Sequence, residues 1–170
     1  MSTRRRAREI ALQVLYEDDL NPDQDVELAE SFIATRLHSN KPLVTFAKSL
    51  WQSVLKNRWE IDKALSAKAT NWSLRRMAAI DRNILRMATY EILFTDTPGR
   101  VVINEAVELA KRYGNHQSGQ FVNGILDRIL NASPEDAEAS AENPTEAEAG
   151  DGAATDVDNS SEPEALASNE

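Results

Sequence analysis

Apolar side chains recur at helical spacing through the first 130 residues, and the clearest case is residues 101–130, VVINEAVELAKRYGNHQSGQFVNGILDRIL. Two apolar stripes parted by one glycine-marked turn predict a helical hairpin there. In the first stripe Ile103, Ala106, Val107 and Ala110 fall at i, i+3, i+4 and i+7, on one helix face. Asn104 is a candidate cap. Lys111, Arg112 and Gly114 close the helix, with cations in the last turn and then a residue that can adopt positive φ. The second stripe is Phe121, Val122, Ile125, Leu126 and Ile129. Gly124 inside it costs about 1 kcal/mol against alanine, which predicts the close approach of a neighbouring helix.

The same periodicity extends through the rest of the chain. Residues 3–18 set Ala7, Ile10, Ala11, Val14 and Leu15 on one face. After a polar turn containing Pro22, residues 26–37 form a weaker helix through Leu28, Phe32, Ile33 and Leu37. Pro42 suits the first turn of a third helix carrying Phe46, Leu50, Val54 and Leu55, with Trp51 alongside. A break near Asn57 precedes Trp59, Ile61 and Leu65, and Asn71 and Ser73 are candidate caps further on. Residues 81–94 are the most apolar segment and should be the central helix. Ile84, Leu85, Ala88, Ile92 and Leu93 turn inward there, while Arg82, Arg86 and Glu91 stay polar. Asp81 has two compatible readings, an N-cap or an exposed acid for a basic partner. No strand pattern occurs. The expected fold is all-α, a compact bundle of about seven helices in two packed helical halves.

Charge divides the chain at residue 132. The net charge is −9, but all 19 lysines and arginines lie at or before Arg128 and 12 of the 28 acids lie in residues 133–170. Residues 1–132 therefore carry a net of +3. The last 38 residues hold hardly any large apolar side chain and cannot build a core, so they are expected to be a disordered, solubilising acidic tail. A sharper alternative has them fold back over a basic face and compete with polyanions. The absence of cysteine excludes disulfides and thiolate chemistry, and two histidines in different contexts argue against a metal site. The arginines at the start run into an amphipathic helix with Glu9, Gln13 and Glu17, unlike a signal peptide, and no transmembrane run exists; a cytoplasmic protein is expected.

The first helix carries the candidate chemistry. On the face opposite its apolar stripe lie Arg5, Leu12 and Tyr16, with Arg8 nearby and Arg4 and Arg6 at the same end. Each cation in a first turn opposes the macrodipole, at roughly 0.3 to 1 kcal/mol, and a bound anion would resolve the conflict. Arginine forks and helix-end N–H groups suit phosphate, and an exposed tyrosine offers a surface for an unpaired base. A plain solvated charge run explains a short arginine cluster equally well. Trp51, Trp59 and Trp72 are expected in the core or between the halves, with no ligand.

Several motifs together also resemble one family. The arginines of RRRAR leading into EIALQVLYE, then IDRNILRMATYEIL, then PGRVVINEAVELAKRYG and FVNGILDRIL, are similar to the transcription antitermination factor NusB family, in the same order over residues 3–131. The resemblance implies an all-helical RNA-binding domain in residues 1–132, no enzymatic activity, no cofactor and no metal. It implies binding to the boxA element of nascent ribosomal RNA together with the ribosomal protein NusE. Through that complex, other Nus factors and RNA polymerase would be engaged and terminators read through.

Carried over by position, Arg4, Arg5, Arg6, Arg8 and Tyr16 match the family's RNA-binding helix. Phe121 matches a second RNA-contacting region, which brings Gln120, Val122 and Asn123 close to the strand. Gln117 and Gln120 stand where some members carry charged residues. Asp81 matches an acidic position facing the ribosomal partner, with Arg82 and Arg76 as further candidates. Asn104 and Glu105 are expected to be structural. If about four phosphates are neutralised, log affinity should fall against log salt with a slope of roughly −3.

Two other functions compete. A NusB-like domain also precedes the catalytic domain of some RNA cytosine methyltransferases, but these 170 residues contain no glycine-rich cofactor loop and no cysteine to act as nucleophile. The second is a helical protein–protein interaction module or homodimer, in which the arginine face meets an acidic partner and specific RNA binding is absent.

Overall fold

The computed structural model describes residues 3–132, and the expected acidic tail lies outside the described residues. Seven α-helices and one short 3-10 turn make up the described chain, with no strand among its residues. They are α1 (Thr3–Leu20), α2 (Val26–Arg36), α3 (Lys41–Lys56), α4 (Arg58–Lys68), the 3-10 turn Leu74–Arg76, α5 (Ala79–Phe94), α6 (Gly99–Tyr113) and α7 (Ser118–Leu130).

Local chemistry accounts for most of these boundaries. Asp25 caps α2 by accepting from the amides of Glu27 and Leu28, and Asn40 caps α3 by accepting from Leu43, with Pro42 in the first turn. Asn57 separates α3 from α4 and donates its side-chain amide to the Ser53 carbonyl at 2.7 Å. Other expected caps fail. Asn104 lies within α6, which begins behind Pro98 without a side-chain cap, and Ser73 precedes the 3-10 turn without capping it. Asp81 is not an N-cap either, because α5 starts two residues earlier, behind Ala78.

Two layers meet on α5. Helices α1, α2 and α3 pack together as one half, α4, α6 and α7 gather with α5 as the other, and α5 also touches α1 and α3. Ile10, Leu12, Leu15, Ile33, Ile61, Leu65, Ile84, Leu85, Met87, Leu109 and Leu126 are all buried to within 2% of full enclosure. Leu12, read from the wheel as part of the outer face, is among them. Leu93, expected inside, is 46% exposed.

The polar positions of α5 depart from expectation because they are satisfied inside. Arg86 and Glu91 are 6% and 3% exposed. Asp19, at the end of α1, accepts from Arg58, Arg82, Arg86 and Asn83 at 2.6–3.0 Å, and Arg86 also holds Asp62 at 2.7 and 2.9 Å. Burial raises the Asp19 carboxyl, but hydrogen bonds from Arg82 and Arg86, the Arg86 charge and the Asn83 amide bring it down to about 2. This cluster ties α1, α4 and α5 together.

Two glycines also behave differently from expectation. Gly114 is extended, with φ −89° and ψ −164°, not left-handed. Glycine is required there by proximity, since a Cβ would collide with the Ser118 side chain and the Ala110 carbonyl. Gly124 shows the reverse. No helix approaches it, and a Cβ there would meet nothing within 4 Å.

Candidate nucleic-acid interface

The arginines at the start of α1 are matched by the protein's own carboxylates. Arg5 grips Glu105 of α6 with Nε and Nη2, both at 2.9 Å, and this bond pulls the Glu105 carboxyl down and the Arg5 guanidinium up. Arg6 meets Glu9 at 2.8 Å, and the other Glu9 oxygen accepts from Arg112 at 2.6 Å. Internal acids thus resolve most of the conflict with the helix dipole. Arg5, Arg6 and Arg112 nonetheless keep 37%, 37% and 50% of their side chains in solvent. Arg4 is exposed, has no carboxylate partner among the described residues, and lies 5.1 Å from the centre of the Phe46 ring.

Arg8 must be withdrawn as an RNA contact. It is 5% exposed, bound at two points to Glu91 and stacked 5.3 Å from Phe46. The helical period turns it toward α5, where a lone acid needs it. Tyr16 does stand out, 39% exposed, at the rim of an apolar recess of about 540 Å³ that also includes Leu12, Phe32, Ile80 and Tyr113.

At the other end of the site, Val122 is fully buried and is likewise withdrawn, because α7 directs it into the core. Phe121 is half-buried, and Gln120 and Asn123 are exposed on either side. The residues read as a partner surface split apart. Arg76 is exposed, but Asp81 is 6% exposed and accepts from the Ser118 hydroxyl at 3.0 Å. Arg82 is turned inward onto Asp19 and the carbonyls of Leu74 and Met77. Neither Asp81 nor Arg82 presents a free charge to a partner.

Two features were missed from the sequence. Lys111 and Arg112, read only as C-terminal helix cations, line a recess of about 230 Å³ with Arg5, Glu9 and Glu108 and so extend the basic surface from α1 onto α6. Trp72 and Trp59, expected in the core or between the halves, are 54% and 74% exposed, whereas Trp51 is buried as expected. The solvent-facing side of Trp72 continues the site, because its ring meets Phe121 edge-on. No periodic signal could place it, since it lies in the loop after α4.

A family model described as "NusB family" matches residues 5–131. The chain belongs to the NusB family. A transcription antitermination protein NusB of Anaeromyxobacter dehalogenans is 44% identical over 133 residues, covering 78% of this chain and 94% of the relative. One from Desulfitobacterium hafniense is 47% identical over 130 residues, covering 75% and 88%. Among solved structures, T. maritima NusB superposes with a TM-score of 0.68 at 40% identity, covering 79% of this chain and 96% of that one. A structure of the antitermination factors NusB and NusE in complex with double-stranded RNA superposes with a TM-score of 0.68 at 32% identity, covering 78% and 99%. The NusB fold is thus shared over the described helices, and among them none is long and apolar enough to cross a membrane.

Proposed function

We propose that this protein is a non-enzymatic, cytoplasmic transcription antitermination factor that binds a boxA-like element of nascent ribosomal RNA together with ribosomal protein NusE. Through that complex it acts on RNA polymerase with other Nus factors and promotes read-through. The supporting observation is a track of recesses sharing lining residues. The Tyr16 recess meets the next at Ala78, and that one meets the last at Trp72 and Phe121. Arg112 adjoins Tyr113 of the Tyr16 recess and shares a further recess with Arg5, while Gln120 lines the recess at the α7 end. Cations would hold phosphates, and exposed rings would receive unpaired bases.

NusE is proposed as the protein partner because a NusB relative of the same fold is solved with it and RNA. Of the three residues read for that surface, Arg76 alone offers an accessible charge. Residues 133–170 are proposed as a separate acidic, solubilising segment, and tighter RNA binding by residues 1–132 than by the full chain would instead make it a competitor for the basic face. The test is a fluorescence titration of a boxA-like strand and a scrambled strand against the full chain and residues 1–132, with and without NusE. Tighter binding of the boxA strand, strengthened by NusE, supports the reading. Absence of binding to either strand at low salt rejects it.

A second reading, a protein-binding module or homodimer, draws on Leu20, Val26 and Leu28, which are 60%, 56% and 67% exposed near the α1–α2 turn. Self-association abolished by Leu28→Ser, with no RNA binding, would favour it.

A further inference from the structure

We propose that Trp72 and Phe121 form a stacking site for unpaired nucleobases, and that Gly124 lacks a side chain so that one base can lie against α7. The inference rests on the RNA-binding reading above and adds residues to it. The two rings meet edge-on, with centroids 6.4 Å apart and planes at 78°. Trp72 leaves more than half of its surface in water. The other exposed tryptophan, Trp59, is covered by the Lys63 ammonium at 5.4 Å, and no described cation covers Trp72 in that way.

A recess opens on each side of the ring pair. The first, about 190 Å³, includes Arg76, Asn115 and Gln117, with Asp81 and Ser118 behind them. Asp81 is more than nine-tenths buried, yet its Oδ1 has no donor, since Ser118 serves only Oδ2. Native interiors seldom leave a carboxylate oxygen unserved, so an acceptor without a donor there points to a missing polar ligand. The second recess, about 240 Å³, includes Asn71, Gln120, Gly124 and Arg128. Gly124 lies inside a helix, no neighbour requires it, and its missing side chain leaves this recess open.

Single-stranded RNA is the occupant that matches this chemistry. Flat aromatic walls take bases of any sequence, Arg76 and Arg128 at the rims suit phosphates, and the amides of Asn71, Gln117 and Gln120 can both donate to and accept from base edges. The same Phe121 ends the proposed RNA track, so the cleft lies along its path.

The test uses the full chain and the boxA-like strand. RNA should quench wild-type tryptophan emission, and Trp72→Phe should lose most of that quench while binding within about threefold of wild type. Trp72→Ala should weaken binding about tenfold or more with the salt slope unchanged, because stacking neutralises no phosphate. Gly124→Leu should weaken binding while the melting temperature stays level or rises, a combination that misfolding cannot produce. If wild type binds no RNA, the antitermination reading fails first. If wild type binds and Arg4→Ala weakens it, but Trp72→Ala and Gly124→Leu bind as wild type, the stacking site alone is refuted. Loss of NusE binding with unchanged RNA affinity in Trp72→Ala would make the cleft a protein-docking site and overturn the proposal.

Discussion

Arg8 and Glu91 form a two-point ion pair inside the contact of α1 with α5, Nε to Oε2 at 2.8 Å and Nη2 to Oε1 at 2.7 Å. Burial pulls the Arg8 guanidinium down, and the hydrogen bonds and charge of Glu91 more than restore it. Glu91→Gln should leave an uncompensated buried cation and cost about 3–5 kcal/mol in urea unfolding. Replacing both, Arg8→Met with Glu91→Leu, should recover most of that loss. The double variant should also keep the wild-type salt slope of RNA binding, and a reduced slope would restore Arg8 to the list of contacts.

Arg4 should behave in the opposite way. It is exposed and has no described carboxylate to release, so Arg4→Ala should leave thermal stability within about 0.5 kcal/mol of wild type. The slope of log affinity against log salt should shrink by about 0.7 if one phosphate contact is lost. A slope identical to wild type would remove Arg4 from the interface.

Asp19 gives the fold an acid-sensitive joint. Its folded carboxyl sits at about 2, against an ordinary value of 3.8, so the stabilisation is complete above the ordinary value and is lost as pH falls through about 2. Urea midpoints should drop across that window, with Asp19 contributing on the order of 2 kcal/mol at neutral pH. Asp19→Asn should be less stable at pH 7 and should converge on wild type near pH 2. A constant gap between the two across this range would contradict the assignment.

Gly114→Ala should destabilise by about 1–3 kcal/mol, because the added methyl collides with Ser118 and the Ala110 carbonyl at the α6–α7 turn. Ser118 also holds Asp81, so the displacement should loosen the start of α5. Hydrogen exchange of the first-turn amides of α5 would report it, and unchanged protection would show that the turn adjusts without it.

The helices and their order were legible along the chain because burial of one face repeats every three to four residues. Asn57 and Pro42 mark their boundaries for equally local reasons, a side chain that ends a helix and a ring that suits its first turn. The arginine-rich start of α1 was legible in composition, but not which of its arginines are free. That depends on where Glu9, Glu91 and Glu105 arrive, and two of those acids lie more than 80 residues away in the chain.

The same limit applies to Trp72, Asp81 and Gly124. A tryptophan in a loop, an acid in a helix's first turn and a glycine inside a stripe each have an ordinary local explanation, respectively core, cap and helix contact. The tertiary structure replaces all three with exposure, an unserved oxygen and open space beside Phe121. By itself the sequence determined the all-helical class, the helix order and the basic start of α1, since each follows from neighbours within a few residues. Which polar groups are consumed inside and which remain for a ligand was decided only by packing, because pairing of charges and accessibility of rings depend on distances between helices that the one-dimensional pattern does not contain.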